Sequence, residues 1–311
     1  MSGGPTGARA SFHNGFRVGG VSVDVGGGCE DDVALIPSLE PFSVDPSAAD
    51  ICIGVEWVMK LSRSFGRERF DSGTTWRLYE GAEEFQFDLN VPVCGERPCK
   101  RLTVDSRFRR AKLQLSKESF TGFPRAVYPL DYPLDELLIM HRLTQERAIE
   151  LHGVGIVGPN GASNLFVGHS GAGKSTTARL WTSLHKVEIL SDDRIIVREH
   201  PVTENNVHVD ATQIYMYGTP WHGEAHFALP QRAPLQRIFV LDHGHGNVLT
   251  RLTRSQMVAE LFARAFVPFH RHEYVDHGLS FLERVADSVP CYHYSFEPDE
   301  RAVEKLLQFN D

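Results

Sequence analysis

Between residues 21 and 127 the apolar positions come in short runs, mostly at every second residue. Ile51-Cys52-Ile53-Gly54-Val55 is apolar and partly β-branched. Trp76 and Leu78, then Phe85, Phe87 and Leu89, alternate with polar neighbours, and Leu102/Val104 and Leu113/Leu115 continue the pattern. A period of two puts alternate side chains on one face, so these runs predict half-buried strands. Gly73, Gly81 and the stretch 95–98 break the runs as turns. The pattern predicts a small β-rich domain over residues 21–127 with no catalytic motif. A Gly-rich flexible tail is expected over residues 1–20.

The period changes at Tyr128. After Pro129 and Pro133 a helix is predicted over about 133–151. Leu134, Leu137, Leu138 and His141 share one face, and Asp135 and Glu136 stand at its electropositive start. Two strands, 154–157 and 164–167, are expected to flank a Pro159-Asn160-Gly161 turn. A glycine loop, a helix and a strand over 187–190 follow. Further strands are expected over 207–209 and 237–241, and helices over 255–265 and 299–309.

Composition narrows the function classes. The chain has 311 residues, 41% apolar and 23% charged, as in ordinary globular proteins, and a net charge of −8. An acidic balance argues against a nucleic-acid partner, which calls for a basic stripe. Arg107, Arg109, Arg110 and Lys112 form only a short cluster. No apolar run approaches the roughly 18 residues of a membrane span, and no signal peptide is visible. The cytoplasm is therefore expected, with no membrane partner. Cys29, Cys52, Cys94, Cys99 and Cys291 are dispersed, unlike a disulfide framework, and Cys94/Cys99 lacks a second pair for zinc. His243/His245 and His270/His272 would each share a strand face, but no carboxylate-rich context makes them a metal site.

The chemistry concentrates in Gly168-His169-Ser170-Gly171-Ala172-Gly173-Lys174-Ser175, followed by Thr176, which matches G-x-x-x-x-G-K-[ST]. Glycines let successive N–H groups curl toward phosphate oxygens, and the following helix adds its positive end. Lys174 supplies a cation for the β- and γ-phosphates, and the Ser175 hydroxyl is placed for magnesium. By chance roughly one chain in a hundred of this length would carry the pattern. Here an apolar strand precedes it and a helix follows, which is the setting the motif requires. ATP and Mg2+ are the cofactors expected.

Ser191-Asp192-Asp193 ends the next strand, with Asp192 eighteen residues after Lys174. Ligands of open α/β sheets bind at that edge. Two carboxylates beside a nucleotide suggest that one holds magnesium and the other accepts the proton of an attacking hydroxyl. The short interval leaves no room for an inserted domain, and the base-reading N-K-x-D of GTPases is absent.

Over residues 128–309 these features, in order, resemble the C-terminal domain of HPr kinase/phosphorylase, an α/β fold shared with ATP-dependent phosphoenolpyruvate carboxykinase. The features are Leu151-His152-Gly153-Val154, the glycine loop, the Asp192-Asp193 pair, and Tyr217-Gly218-Thr219-Pro220-Trp221-His222-Gly223-Glu224. The last segment is more similar to HPr-kinase-related proteins, among them kinases of lasso-peptide precursors. The resemblance implies a P-loop kinase domain with His152 near the reaction centre, and either Asp192 as general base and Asp193 beside the metal or the reverse assignment of the two acids. The Arg-Gly segment that follows the acids in HPr kinase is not visible.

The expected reaction is transfer of the γ-phosphoryl group of ATP to a hydroxyl, of a peptide or protein serine or of a small molecule. A non-catalytic nucleotide-binding scaffold in a peptide-modification pathway is the alternative. A homo-oligomer is compatible with the resemblance. Trp221, His222 and Glu224 are candidates for the acceptor pocket, and Arg251 or Arg254 for a phosphate clamp.

Overall fold

The computed structural model describes residues 11–28, 34–90, 97–122, 127–204 and 207–309. The chain is mixed α/β and divides into two compact units, residues 1–17 with 21–142 and residues 18–20 with 143–311. Among the described residues no helix is long and apolar enough to cross a membrane.

The first unit is built on one mixed sheet. Its strands are β1 (Ser11–Val18), β2 (Val21–Gly28), β3 (Ser43–Val44), β4 (Ile51–Val58), β5 (Arg67–Asp71), β6 (Trp76–Glu80), β7 (Glu84–Leu89), β8 (Lys100–Asp105) and β9 (Arg110–Ser116), in the order β3-β1-β2-β4-β9-β8-β7-β6-β5. β2, β4 and β9 run parallel, and β5 to β9 form an antiparallel meander. The expected alternation is present along β4, where Ile51, Ile53 and Val55 point inward and Cys52 and Gly54 outward. On β7 the apolar Phe85, Phe87 and Leu89 are buried, and so are Gln86 and Asp88 between them. Burial of Asp88 is compensated by Arg101, whose Nε and Nη2 donate to its two oxygens at 2.7 and 2.9 Å. The short α1 (Lys117–Phe120) follows β9, and α2 (Leu134–Leu143) closes the unit.

Three expectations change here. The tail expected over residues 1–20 contains β1, whose Phe16 and Val18 are buried at alternate positions; residues 1–10 lie outside the described residues. Cys29 and Cys94 also lie outside them. The helix expected to reach residue 151 stops at Leu143, and residues from Ala148 onward are strand. Helix-forming Glu, Arg and Leu are overridden there because the segment is paired on both sides. The apolar face read for α2 is the buried one, and His141 packs edge-on to Phe87 and stacks with Phe108, both at 5.1 Å. This packing places α2 with the first sheet, beyond the change of sequence character at Tyr128.

In the second unit the strands are β10 (Ala148–Val157), β11 (Ser163–Val167), β12 (Glu188–Ser191), β13 (Arg194–Glu204), β14 (Val207–Tyr217), β15 (Arg232–Pro234), β16 (Arg237–His243), β17 (Val248–Arg251), β18 (Ala265–Phe266) and β19 (Cys291–Phe296). The sheet order is β15-β14-β13-β10-β11-β16-β19-β17, with β12 and β18 also paired to β10. β11, β16 and β19 are parallel. The helices are α3 (Lys174–Leu184), α4 (Arg254–Phe262), α5 (His272–Ser288) and α6 (Glu300–Leu307).

Alternate residues of the central strands feed two cores. Phe166, Phe239, Tyr294 and Phe296 pack with Trp181 of α3 and Val303 of α6. Leu165, Val167, Ile238 and Val240 pack with Leu261 of α4 and Phe281 and Val285 of α5. The sheet is thus covered on both faces, as parallel strands require. α5 was not expected. Tyr274, Gly278, Phe281, Leu282 and Val285 form its buried stripe, and His272 is its first residue, so His270 and His272 do not share a strand face.

Candidate functional site

β10 is where the sheet divides. Its first half, to His152, pairs with β13 and β18. Its second half, from Gly153, pairs with β11 and β12. Gly153 sits opposite Val167, the last residue before the glycine loop, and its N–H donates to the carbonyl of Asp193 at 3.0 Å. The loop, His152 and the acidic pair therefore meet at one edge.

The loop, residues 168–175, joins β11 to α3 as the motif requires. Gly171 and Gly173 have φ of 82° and 94°, a region closed to most L-residues. A Cβ on Gly173 would also stand 2.6 Å from the Phe296 ring. His243 stacks on Phe296 at 5.6 Å, and its Nε2 lies 2.8 Å from the Gly171 carbonyl oxygen. These contacts hold the turn from below. His169 and Ser170 are exposed at its tip and Ala172 is buried. The first N–H groups of α3, at Lys174, Ser175 and Thr176, have no partner within the helix and are left for an anion. The Ser175 hydroxyl has no hydrogen bond within the described protein.

Lys174 is buried and folds back over the loop, donating to the carbonyls of Gly168 and His169 at 2.8 and 3.0 Å. Burial depresses its ammonium below the ordinary range. The charge of Asp193 opposes this, and the positive charges of Arg264 and Arg194 reinforce it.

The two acids have different surroundings. Asp192 is 2% exposed. Its Oδ1 accepts from the N–H groups of Gly223 and Phe227 at 3.0 and 3.2 Å, and its Oδ2 from Ala225 at 2.9 Å. A carboxylate holding three amides is an anchor for the 223–227 loop. That geometry does not suit the proton acceptor expected at Asp192. Asp193 is 29% exposed, with Oδ1 2.9 Å from His152 Nε2 and Oδ2 bonded to Arg194. Burial alone would raise the Asp193 carboxyl. The hydrogen bond from His152 and the charges of Arg194, His152 and Lys174 outweigh it and hold the group below the usual carboxylate range. Arg194 also approaches buried Glu150 and lies over the Phe266 ring at 4.1 Å.

The segment 218–227 is drawn onto this edge by Asp192 and by Thr219, whose hydroxyl donates to the Arg194 carbonyl at 2.8 Å. Within it Trp221 is buried, and His222 and Glu224 are exposed. His222 and His226 bring their Nδ1 atoms to 3.1 Å. Arg251 is not in this group. It stands opposite Tyr292 on the edge strand, four residues before Phe296, which is about 13 Å down the strand at ordinary rise. Arg254 is exposed and bonded to Asp287 of α5. Register carries Arg251 away from the loop, and Arg254 is engaged by Asp287 instead. A basic cavity of about 700 Å³, lined by Lys60, Arg63 and Arg97 among others, belongs to the first unit and contains none of these residues.

Arg194, Glu150, Phe266 and Arg264 were not anticipated. Arg194 could have been found from its adjacency to the acids. Glu150 lies on β10 two residues before His152, whereas Phe266 and Arg264 have no local signal, since they come to β10 from a segment more than a hundred residues away. Among the described residues no three His, Cys, Asp or Glu side chains converge as an all-protein metal site. The donors present, a serine hydroxyl and an ionised carboxylate, fit magnesium held jointly with phosphate oxygens.

No protein-family model matches the chain, and no curated protein matches it.

Proposed function

We propose that the second unit is an ATP- and magnesium-dependent kinase domain of the HPr kinase type, which transfers the γ-phosphoryl group to a hydroxyl. The observation that carries this reading is the convergence at one sheet edge of the glycine loop with Lys174 and the His152–Asp193 pair. A loop alone would serve any nucleotide binder. A polarised His–carboxylate pair beside it supplies what group transfer to a hydroxyl needs.

In this reading the loop N–H groups and Lys174 hold the phosphates. Lys174 leaves the carbonyls of Gly168 and His169 to do so, exchanging neutral acceptors for anionic ones. Ser175 and Asp193 would hold magnesium, which when bound neutralises charge developing between the β- and γ-phosphates. His152 keeps Nε2–H on Asp193 and presents Nδ1 to the acceptor hydroxyl, taking its proton as the oxygen attacks phosphorus. Asp192 acts as a positioning residue for the segment carrying Trp221, His222 and Glu224, which forms the wall for the acceptor. The exposed polar tip of that wall suits a serine-bearing peptide or protein, or a small alcohol.

The test is incubation of the full chain with labelled ATP, magnesium and serine-containing peptides or small alcohols, with mass spectrometry of the products. Label on an acceptor hydroxyl supports the reading. Tight ATP binding without transfer to any acceptor or to water would leave a nucleotide-binding scaffold instead.

A further inference from the structure

Gln86 and Asp88 of β7, which a period of two would send to solvent, are buried with their apolar neighbours. Their polar atoms hold one loop. Gln86 Nε2 donates to Asp88 Oδ1 at 2.9 Å, and Gln86 Oε1 accepts the Phe65 N–H at 3.4 Å. Asp88 accepts the Ser64 hydroxyl at 2.6 Å. Arg101, bound to Asp88, donates through Nη1 to the carbonyl and hydroxyl of Ser62 at 3.0 and 3.1 Å, and through Nη2 to the Ser64 hydroxyl at 3.2 Å. Residues 62–65 are thereby fixed on a buried ion pair. Such a pair gains little stability over apolar packing. What it determines here is the position of the loop.

That loop lines the cavity of about 700 Å³ in the first unit. Lys60 and Arg63 come from it, Arg97 from the segment before β8, Arg101 from β8 and Glu118 from α1. The Glu118 N–H donates to the Met59 carbonyl at 3.1 Å, which ties α1 to the start of the loop. Arg101 is neutralised by Asp88, so Lys60, Arg63 and Arg97 are balanced only by Glu118 among the lining residues. All three cations are exposed, and among the described residues none has an ion pair. The chain as a whole carries −8, so this local excess of positive charge runs against its average. A cluster of cations without partners calls for an anion. The cavity also continues. Ser64 and Pro98 line a second one of about 110 Å³, together with Trp76, Tyr79 and Thr74. Phe70 of the edge strand β5 stacks on Trp76 at 4.6 Å and is 45% exposed.

We infer that these adjoining cavities are a docking site for an acidic peptide segment, whose carboxylates meet Lys60, Arg63 and Arg97 while its chain continues past Ser64 toward Trp76. A volume of about 700 Å³ is that of a ligand pocket rather than of one small anion. The continuation past Ser64 and Pro98 fits an extended occupant better than a compact one. The aromatic rings beyond them offer a surface on which its side chains can pack. The site contains no residue of the second unit and needs no nucleotide, so it holds or fails independently of phosphoryl transfer.

The experiment is a fluorescence-anisotropy titration of the full chain, without nucleotide, against a labelled peptide of eight glutamates and its eight-glutamine counterpart. The wild type is expected to bind the glutamate peptide and not the glutamine one. Lys60→Gln, Arg63→Gln and Arg97→Gln should each weaken binding about threefold or more, and the triple variant at least tenfold. Arg107→Gln, which removes an exposed cation outside the cavity, should stay within twofold. The three residues are exposed, so thermal unfolding of the triple variant should match the wild type; should it not fold, the single variants decide. A wild type that does not distinguish the two peptides overturns the inference. So does a triple variant that keeps its affinity, or an Arg107→Gln variant that loses as much as the cavity variants, since the attraction would then be spread over the surface. Displacement of the peptide by millimolar inorganic phosphate, but not by chloride at the same ionic strength, would show a compact anion site and overturn the peptide as occupant.

Discussion

His152 Nε2, on β10, and Asp193 Oδ1, in the residue just before β13, are 2.9 Å apart. Asp192, one residue away, has its carboxylate turned to three backbone amides of another segment. Two adjacent acids therefore have opposite duties, and substitution separates them. Asp192→Ala should cost about 3 kcal/mol or more, since it leaves three amide donors without their charged acceptor. Asp193→Asn should cost less stability than Asp192→Ala and lower kcat by about a hundredfold or more, the usual size of losing a proton-transfer partner. Thermal unfolding and turnover measure the two effects. If Asp192→Asn stays as stable as wild type and loses turnover, the proton acceptor is Asp192.

The depressed Asp193 carboxyl makes a signed pH prediction. Its ordinary value is 3.8 and its folded value is lower. The stabilisation from its ion pairs is then fully present above the unfolded value and is lost as pH falls through the folded one. The stability deficit of Asp193→Asn should be constant from about pH 7 to about pH 5 and should close in more acid solution. Denaturant titrations at a series of pH values measure it; a deficit that closes already near neutrality would contradict the pairing.

Gly173 and Lys174 give adjacent substitutions with separate causes. Lys174→Ala removes one charge-assisted contact and should weaken ATP binding roughly tenfold or more. Gly173→Ala forces a Cβ into a left-handed turn and against Phe296. It should abolish binding although no charge is altered. Titration calorimetry reads both, and an unchanged affinity in either case would remove that residue from the phosphate site.

In the first unit the pair Arg101–Asp88 is 3% and 5% exposed. Asp88→Ala strands a buried guanidinium and should destabilise the unit by about 3–5 kcal/mol. Replacing both partners by apolar residues of similar volume should recover much of that loss. Chemical denaturation of the single and double variants tests this, and a cost below about 1 kcal/mol for the single variant would show that water reaches Arg101.

The glycine loop, the strand before it and the helix after it were legible because each is a contiguous segment with a local cause. Strands β4, β6, β7, β8 and β9 were legible for the same reason, through their period of two. The end of α2 was not, because residues 144–151 favour a helix and only pairing with β13 makes part of them strand. The buried stripe of α5 was present in the sequence at helical spacing but was not read from it.

The sequence by itself determined that a glycine loop of the G-x-x-x-x-G-K-[ST] pattern joins a strand to a helix and that two acids follow it at short interval. It could do so because a left-handed glycine turn and a helix N-terminus need no distant residue. Tertiary structure alone decided which acid faces Lys174, that His152 reaches Asp193, that Arg264 stands beside them and that Arg251 does not. Those relations depend on register between β10 and strands entering it from residues 163, 188, 194 and 265. A shift of one residue in any of these pairings would turn each side chain to the other face of the sheet.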